Sequence, residues 1–183
     1  MEVKKFEITD FLIQPNDPQL KYVDKDKNEQ RGIGWGQRKL GMMLLQFLNF
    51  YWDPIKVPKP IVVYIGASPG TNIEYIASKC YPMIEFHLYD IRPINIKSSN
   101  VKIYPQLFTD EDAYKWANRN DILLISDIRS VTKHKVLSLE QEQIIMKDNE
   151  MQKKWYEIIK PVKASLKFRL PFPFQGYQRM SNI

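Results

Sequence analysis

Residues 60–71 read Pro-Ile-Val-Val-Tyr-Ile-Gly-Ala-Ser-Pro-Gly-Thr, an apolar run that leads directly into a turn with two glycines. The run is short and rich in β-branched residues, which predicts a strand buried on both faces of a sheet. A helix is predicted over 71–80, so the turn opens that helix beside its unpaired backbone N–H groups. Glycines in such a turn let the backbone approach a ligand closely. The competing interpretation is a tight turn that binds nothing.

The same turn contains Pro69 and lacks the three-glycine spacing that seats the pyrophosphate of a dinucleotide. Proline also stiffens the loop, because its ring fixes one backbone torsion. This combination favours a nucleoside with a neutral or positively charged tail, such as S-adenosylmethionine, over NAD.

Outward from this stretch, short apolar runs alternate with helical patterns. This alternation, with short connections, predicts an α/β fold built on a parallel, doubly wound sheet with right-handed crossovers. An amphipathic helix is predicted over 36–51, because apolar residues recur there at every third or fourth position. The later predicted elements are strands at 84–90 and 101–104, a helix at 110–118, a strand at 121–127, a helix at 139–159 and a strand at 164–170.

Acidic residues end two of the predicted strands: Asp90 ends the second and Asp127 ends the fourth. Because the carboxyl ends of parallel strands share one edge of a sheet, both acids should face the same cleft as Gly66. An acid at the tip of the second strand commonly accepts hydrogen bonds from ribose hydroxyls. The competing interpretation is that Asp90 caps the turn that follows it.

Two lysines occupy unexpected positions. Lys167 lies in the predicted fifth strand, where an amine is costly to bury unless it is paired. Lys39 lies in the first turn of the predicted 36–51 helix, where the helix dipole disfavours a cation. For Lys167, the ordinary interpretation is a lysine on an edge strand whose amine reaches solvent. For Lys39, it is a solvated surface lysine.

Composition narrows the class of protein. The chain has 183 residues, of which 44% are hydrophobic and 26% charged, with a net charge of +6. These values, with an isoelectric point of about 9.2, are typical of a globular protein and favour a polyanionic partner. The single cysteine, Cys80, excludes a disulfide framework and a Cys-rich zinc site. Because there are also only two histidines, we expect no metal.

Residues 1–35 are polar and rich in turn-forming residues, so we expect an irregular N-terminal arm followed by a single domain over residues 36–183. The N-terminus has no apolar signal-peptide core, and the longest apolar stretch, 42–52, is too short to span a bilayer. We therefore expect a soluble intracellular protein with no membrane partner.

Four segments, in order along the chain, resemble one known family. They are residues 35–40 (WGQRKL), 62–71 (VVYIGASPGT), 124–130 (LISDIRS) and 165–173 (SLKFRLPFP). The family is the poxvirus cap-specific mRNA (nucleoside-2′-O-)-methyltransferase, which is also the small, processivity subunit of the viral poly(A) polymerase. The similarity runs from about Tyr22 to Pro173.

The resemblance implies a Rossmann-like, S-adenosylmethionine-dependent methyltransferase fold with helices on both faces of the sheet. It implies methyl transfer to the 2′-hydroxyl of the first transcribed nucleotide of capped mRNA, without a metal. By motif position, three of the family's Lys–Asp–Lys–Glu catalytic residues would be Lys39, Asp127 and Lys167. The implied S-adenosylmethionine contacts are Gln37, Tyr64, Gly66, Gly70, Asp90, Arg92, Thr109 and Asp127.

The same resemblance implies two partners: capped mRNA, and the catalytic subunit of a viral poly(A) polymerase in a heterodimer. The implied contacts with the cap and the RNA are Tyr22, Arg129, Arg169 and Phe172, with the Phe172 ring stacked on the methylated guanine. The implied location is the viral factory in the host-cell cytoplasm, with the virion as a second location.

The sequence also departs from the family pattern. The family continues past the position of Ile183 with two more strands, which carry the catalytic Glu and an acid that reads the cap guanine. Another cap-reading acid is replaced here by Phe174. We therefore expect a C-terminally shortened relative that preserves cofactor binding better than cap selectivity. Two alternatives stay open: a catalytically weak or inactive RNA-binding processivity factor, and an NAD-dependent oxidoreductase, which Pro69 disfavours.

Overall fold

The structure, a computed structural model, describes residues 35–130 and 139–169. All but the last residue of the predicted arm over 1–35 lies outside these ranges, as do Tyr22 and Phe172. In chain order the elements are α1 (Trp35–Tyr51), β1 (Ile61–Ile65), α2 (Ile73–Tyr75, continued by a π-helical turn over Ile76–Cys80), β2 (Glu85–Tyr89), β3 (Val101–Tyr104), α3 (Asp110–Trp116), β4 (Ile122–Ser126), α4 (Leu139–Ile159) and β5 (Lys163–Leu166).

The strands form one sheet in the order β3-β2-β1-β4-β5, and every neighbouring pair is parallel. The predicted parallel, doubly wound sheet is therefore confirmed. The chain places β2 and β3 on one side of β1 and then places β4 and β5 on the other side. The strand order therefore reverses between β1 and β4. Gly66, Asp90 and Asp127 each follow directly after β1, β2 or β4, so all three lie at the same edge of the sheet, at this switch point.

Helices cover both faces of the sheet, as expected. On one face α1 and α2 pack against the sheet, with a core that includes Leu44, Leu48, Val62, Ile76 and Phe86. On the other face α3 and α4 cover a second core that includes Val63, Ala113, Leu124, Trp155 and Ile159. Within the described residues, no helix is long and apolar enough to cross a membrane.

The fifth strand is shorter than predicted, and this corrects the position of Lys167. β5 ends at Leu166, so Lys167 follows the strand instead of lying inside it. The Lys167 N–H still donates to the carbonyl of Ser126 at 2.9 Å, which continues the pairing with β4. Beyond this point, however, side chains of α4 bind the carbonyls of Lys167 (through Gln152) and Arg169 (through Asn149), so the backbone leaves the sheet.

A hydrogen-bonded aromatic cluster fills the space between β2, β3 and α3. The buried His87 ring lies with Nδ1 2.8 Å from the hydroxyl of Tyr104 and Nε2 2.6 Å from the carboxylate of Glu85. Trp116 meets the ring edge-on at a centroid distance of 4.5 Å. Burial lowers the pKa of the His87 imidazole, and the neighbouring Glu85 offsets only part of that effect.

This environment predicts that the protein loses stability in mild acid. An unfolded histidine binds a proton near pH 6.5, whereas buried His87 binds one only at lower pH. The free energy of unfolding should therefore be highest above about pH 6.5 and fall as the pH drops below it. Urea unfolding near pH 7.5 and near pH 5.5 would measure this.

The substitution His87→Phe should flatten that pH dependence, because it removes the group that titrates. The matched comparison is the same substitution at the second histidine of the chain, His134. A pH dependence that survives in His87→Phe and disappears in His134→Phe would contradict the assignment to the aromatic cluster.

Candidate cofactor and catalytic site

The turn after β1 can only be built with glycine at its first position. Gly66 has a φ of +81°, and a Cβ at this residue would lie 2.9 Å from the carbonyl oxygen of Asp127. Its N–H donates to the carbonyl of Tyr89 at 2.8 Å. Gly66 therefore lets the ends of β1, β2 and β4 approach one another closely.

Gly70 closes the turn in a similar way. Its φ is +71°, and a Cβ there would meet Ile96 Cδ1 at 3.0 Å and Ile94 Cγ2 at 3.2 Å. The turn is thereby held against the segment that follows β2. Both glycines picked out from the sequence are thus required by the backbone geometry of the turn.

A cleft opens between α1 and this turn, and four of the predicted cofactor residues line it: Gln37, Tyr64, Gly66 and Gly70. Burial, together with the negative charge of Asp127, raises the pKa of the Tyr64 phenol well above its usual value. Tyr64 therefore stays neutral at physiological pH and carries no charge into the cleft.

Asp90 is buried at the tip of β2 and anchors the turn. Its Oδ2 accepts from the backbone N–H of Ser68 at 3.0 Å and from Arg92 Nη2 at 2.8 Å. Its Oδ1 accepts from the backbone N–H of Arg92 at 2.9 Å and from Arg92 Nε at 3.0 Å. Asp90 thus caps the following turn, as the competing interpretation expects, while its carboxylate also reaches the glycine turn.

These four bonds determine the charge of Asp90. Burial alone would raise the pKa of this carboxyl, but the hydrogen bonds from Arg92 and Ser68 outweigh it and lower the pKa. Asp90 is therefore ionised at neutral pH. The side chain of Arg92 supplies two of the four donors and is 62% exposed to solvent, so those two donors can leave without disturbing a packed core.

Asp127 and Lys167 form an ion pair at the same edge of the sheet. Lys167 Nζ lies 2.5 Å from Asp127 Oδ1, with the side chains 35% and 13% exposed. The backbone holds both residues, because Asp127 N–H donates to Ile65 O at 2.9 Å and Lys167 N–H donates to Ser126 O at 2.9 Å. The Lys167 amine is therefore paired with Asp127, and the catalytic role of the pair stays a prediction.

Two further predicted residues lie on the surface. Lys39 is exposed in the first turns of α1, and within the described part of the chain no ion pair joins it to Asp127. Arg129 is exposed two residues beyond Asp127. Both can reach a bound polyanion from solvent, whereas neither belongs to the Asp127–Lys167 pair.

The side chains of Thr109 and Arg169 are engaged within the protein. Thr109 is the N-cap of α3, where its hydroxyl accepts from the N–H of Asp112 in a capping box. Arg169 forms an ion pair with Glu142, a buried residue of α4. The Thr109 backbone is engaged as well, since its N–H donates to Asp112 Oδ2 at 3.2 Å and its carbonyl accepts from the N–H of Ala113 at 3.0 Å. The Arg169 guanidinium would have to leave Glu142 to reach a ligand.

Reasoning from the sequence missed the polar side of α4 that holds the ends of β4 and β5. Buried Asp148 accepts from the N–H and the hydroxyl of Ser130, at 3.0 and 2.6 Å. Buried Gln152 donates to the carbonyl of Lys167 at 2.9 Å. These contacts fix the backbone on both sides of the Asp127–Lys167 pair.

A signal for these residues was present in the sequence. Asp148 and Gln152 follow Ile145 at the three- and four-residue spacing that continues to Trp155 and Ile159, all of them buried. Polar side chains on an otherwise core-facing stripe indicate that the stripe binds polar backbone groups.

Within the described residues, no group of three or more His, Cys, Asp or Glu side chains is arranged to hold a metal ion.

Comparison with known proteins places this chain in a family. The family model described as the poly A polymerase regulatory subunit matches residues 11–180. The chain belongs to that family. The match covers nearly the whole chain. It therefore confirms the family resemblance that the four segments indicated.

Individual relatives have methyltransferase names. The chain is 29% identical over 162 residues to the cap-specific mRNA (nucleoside-2′-O-)-methyltransferase of Fowlpox virus (strain NVSL), covering 78% of this chain and 48% of that protein. It is 29% identical over 171 residues to the protein of the same name from Myxoma virus (strain Lausanne), covering 87% of this chain and 49% of that protein. This family member therefore spans about half the length of these relatives.

Proposed function

We propose that this chain binds S-adenosylmethionine and acts as a cap-specific mRNA 2′-O-methyltransferase, transferring a methyl group to the 2′-hydroxyl of the first transcribed nucleotide. The observation that carries the proposal is the meeting, at one edge of the sheet, of the Gly66 turn, the ionised Asp90 and the Asp127–Lys167 pair. A nucleoside site and a paired amine next to it are what this reaction requires.

The acidic residues at this edge of the sheet fit S-adenosylmethionine. Its ribose is a cis-diol, which needs two acceptors, and Asp90 offers the two positions now taken by the exposed Arg92 side chain. Its sulfonium is a cation, and the Asp127 carboxylate, whose charge acts on the Tyr64 phenol in the cleft, provides the opposite charge.

The chemical roles follow from these positions. S-adenosylmethionine supplies an already activated methyl group, so the protein has to align the 2′-hydroxyl and accept its proton. Lys167 is the amine in position to take that proton, and Asp127 orients the amine through the 2.5 Å contact. Lys39 is exposed in the first turns of α1 and adds positive charge for the RNA.

The partners proposed are capped mRNA and the catalytic subunit of a viral poly(A) polymerase, and the proposed location is the host-cell cytoplasm. A net charge of +6 supports a polyanionic partner. An exposed basic residue, Arg129, lies after β4, two residues beyond Asp127 of the catalytic pair. RNA lying on this side of the sheet edge would place its first nucleotide near Lys167.

The test is transfer of label from radioactive S-adenosylmethionine to capped RNA. We expect label in RNA whose first nucleotide has a free 2′-hydroxyl and none in the same RNA already methylated at that position. Cofactor and RNA binding without any transfer would replace the proposal with the RNA-binding processivity factor. If the chain did not bind S-adenosylmethionine, the proposal that it is a methyltransferase would be ruled out.

A further inference from the structure

The side chain of Asn72 stands at the start of α2 but does not cap that helix. An asparagine at this position ordinarily accepts a hydrogen bond from the N–H of the second or third helical residue. Here no such bond forms. The Asn72 amide Nδ2 instead donates to the backbone carbonyl of Gln37 in α1 at 2.6 Å. Its hydrogen bond is therefore directed away from its own helix and onto the neighbouring one.

Gly41 brings α1 into close contact with the same side chain. A Cβ added to Gly41 would lie 3.1 Å from each of Asn72 Cβ, Cγ and Nδ2. By contrast, among the residues that the structure describes, a Cβ added to Gly36 in the same helix would meet nothing within 4 Å. Helix α1 therefore packs closely against Asn72 at Gly41, whereas it is open at Gly36.

This contact lies at the candidate cofactor cleft. Gln37, Gly41 and Asn72 line the cleft together with Gly66 and Gly70. A second, longer bond of 3.4 Å joins the hydroxyl of Thr71 to Gln37 Oε1. A contact that fixes α1 at this point also fixes Gln37 against the glycine turn. It fixes Lys39 as well, two residues further along the same helix.

We propose that Asn72 and Gly41 form a latch that locks α1 onto the glycine turn, which makes Asn72 a positioning residue for the cofactor site. The inference rests on the proposed function, because the affinity for S-adenosylmethionine is one of its two measurements. The other, amide hydrogen exchange, requires no ligand. Together they separate failure of the latch from failure of the proposed function.

The first test is Asn72→Ser in the full chain. Serine caps a helix as well as asparagine does, so α2 should be retained, but its side chain is too short to reach the carbonyl of Gln37. We expect amide exchange in α1 to rise by about three- to tenfold, the equivalent of one hydrogen bond, with exchange in β1 and β4 unchanged. The Kd for S-adenosylmethionine, measured by calorimetry, should rise by about the same factor.

The second test uses the two glycines of α1. Gly41→Ala should weaken S-adenosylmethionine binding, whereas Gly36→Ala, the same change in open space, should leave the affinity as it was. In an Asn72→Gly background all three crowding atoms are gone, so Gly41→Ala should then cause no further loss. Non-additivity of this kind is the signature of a direct contact.

The outcomes are distinct. Unchanged α1 exchange in Asn72→Ser would overturn the latch whether or not the chain binds a cofactor. Faster α1 exchange with an unchanged Kd would show that Asn72 only stabilises the fold, which also overturns its role as a positioning residue. If the parent chain binds no S-adenosylmethionine while Asn72→Ser still speeds α1 exchange, the proposed function fails and the contact between α1 and the turn stands.

Discussion

Lys167→Met should reduce methyl transfer to capped RNA by about 10²–10⁴-fold, the usual contribution of a general base. Methionine keeps most of the volume of the lysine side chain but removes the nitrogen that lies 2.5 Å from Asp127. The backbone bonds of Lys167 to Ser126 and Gln152 involve no side-chain atom of Lys167, so they survive. Folding and the affinity for S-adenosylmethionine should therefore be retained.

Two companion variants make this result specific. Lys167→Arg should not restore transfer, because a guanidinium remains charged and cannot accept the proton. Lys153→Met, the same change at an exposed position of α4, should leave the rate unchanged. A Lys167→Met protein that transfers methyl groups at the parent rate would rule out Lys167 as the base.

The second large effect is expected for Asp90→Ala. Each hydrogen bond to an ionised acceptor contributes about 1.5–3 kcal/mol, so losing the bonds to the two ribose hydroxyls should weaken S-adenosylmethionine binding by at least about a hundredfold. The substitution also releases the N–H of Ser68, which now donates to Asp90 at 3.0 Å. A looser glycine turn should add to the loss.

Asp121→Ala is the matched control. Asp121 is also held by an arginine two residues away, with Arg119 Nη2 at 2.7 Å and Nε at 2.9 Å. It stands before β4, however, at the opposite edge of the sheet from Asp90. Asp121→Ala should therefore leave the calorimetric Kd unchanged, and an Asp90→Ala protein that binds as tightly as the parent would refute the assignment of the ribose site.

The sequence was a good guide to the sheet because its central strands are buried on both faces. Runs such as 61–65 and 122–125 are apolar throughout, which is typical of strands in a parallel sheet covered on both sides. Their ends then follow from topology, which is why Asp90 and Asp127 were expected at one edge and were found there. The pairing of Asp127 with Lys167 is consistent with the same reasoning.

What could not be predicted depends on contacts between distant segments. β5 ends earlier than its apolar pattern suggests because Gln152, far away in sequence, binds the carbonyl of Lys167. The sequence around Asn72 does not indicate that its side chain bonds to Gln37 in α1, and only the position of α1 shows this. Arg169 was expected to face a ligand but pairs with Glu142. Local patterns contain no information about such partners.

The most direct test of the central claim is calorimetric titration of the parent chain with S-adenosylmethionine and, separately, with NADH. Binding of one S-adenosylmethionine per chain is expected, with the heat lost or much reduced in Asp90→Ala and preserved in Asp121→Ala. NADH should give no binding, because the turn at Gly66 and Pro69 lacks the glycine spacing that a pyrophosphate requires. Binding of NADH but not of S-adenosylmethionine, or binding of neither, would contradict the claim that this edge of the sheet is a methyl-donor site.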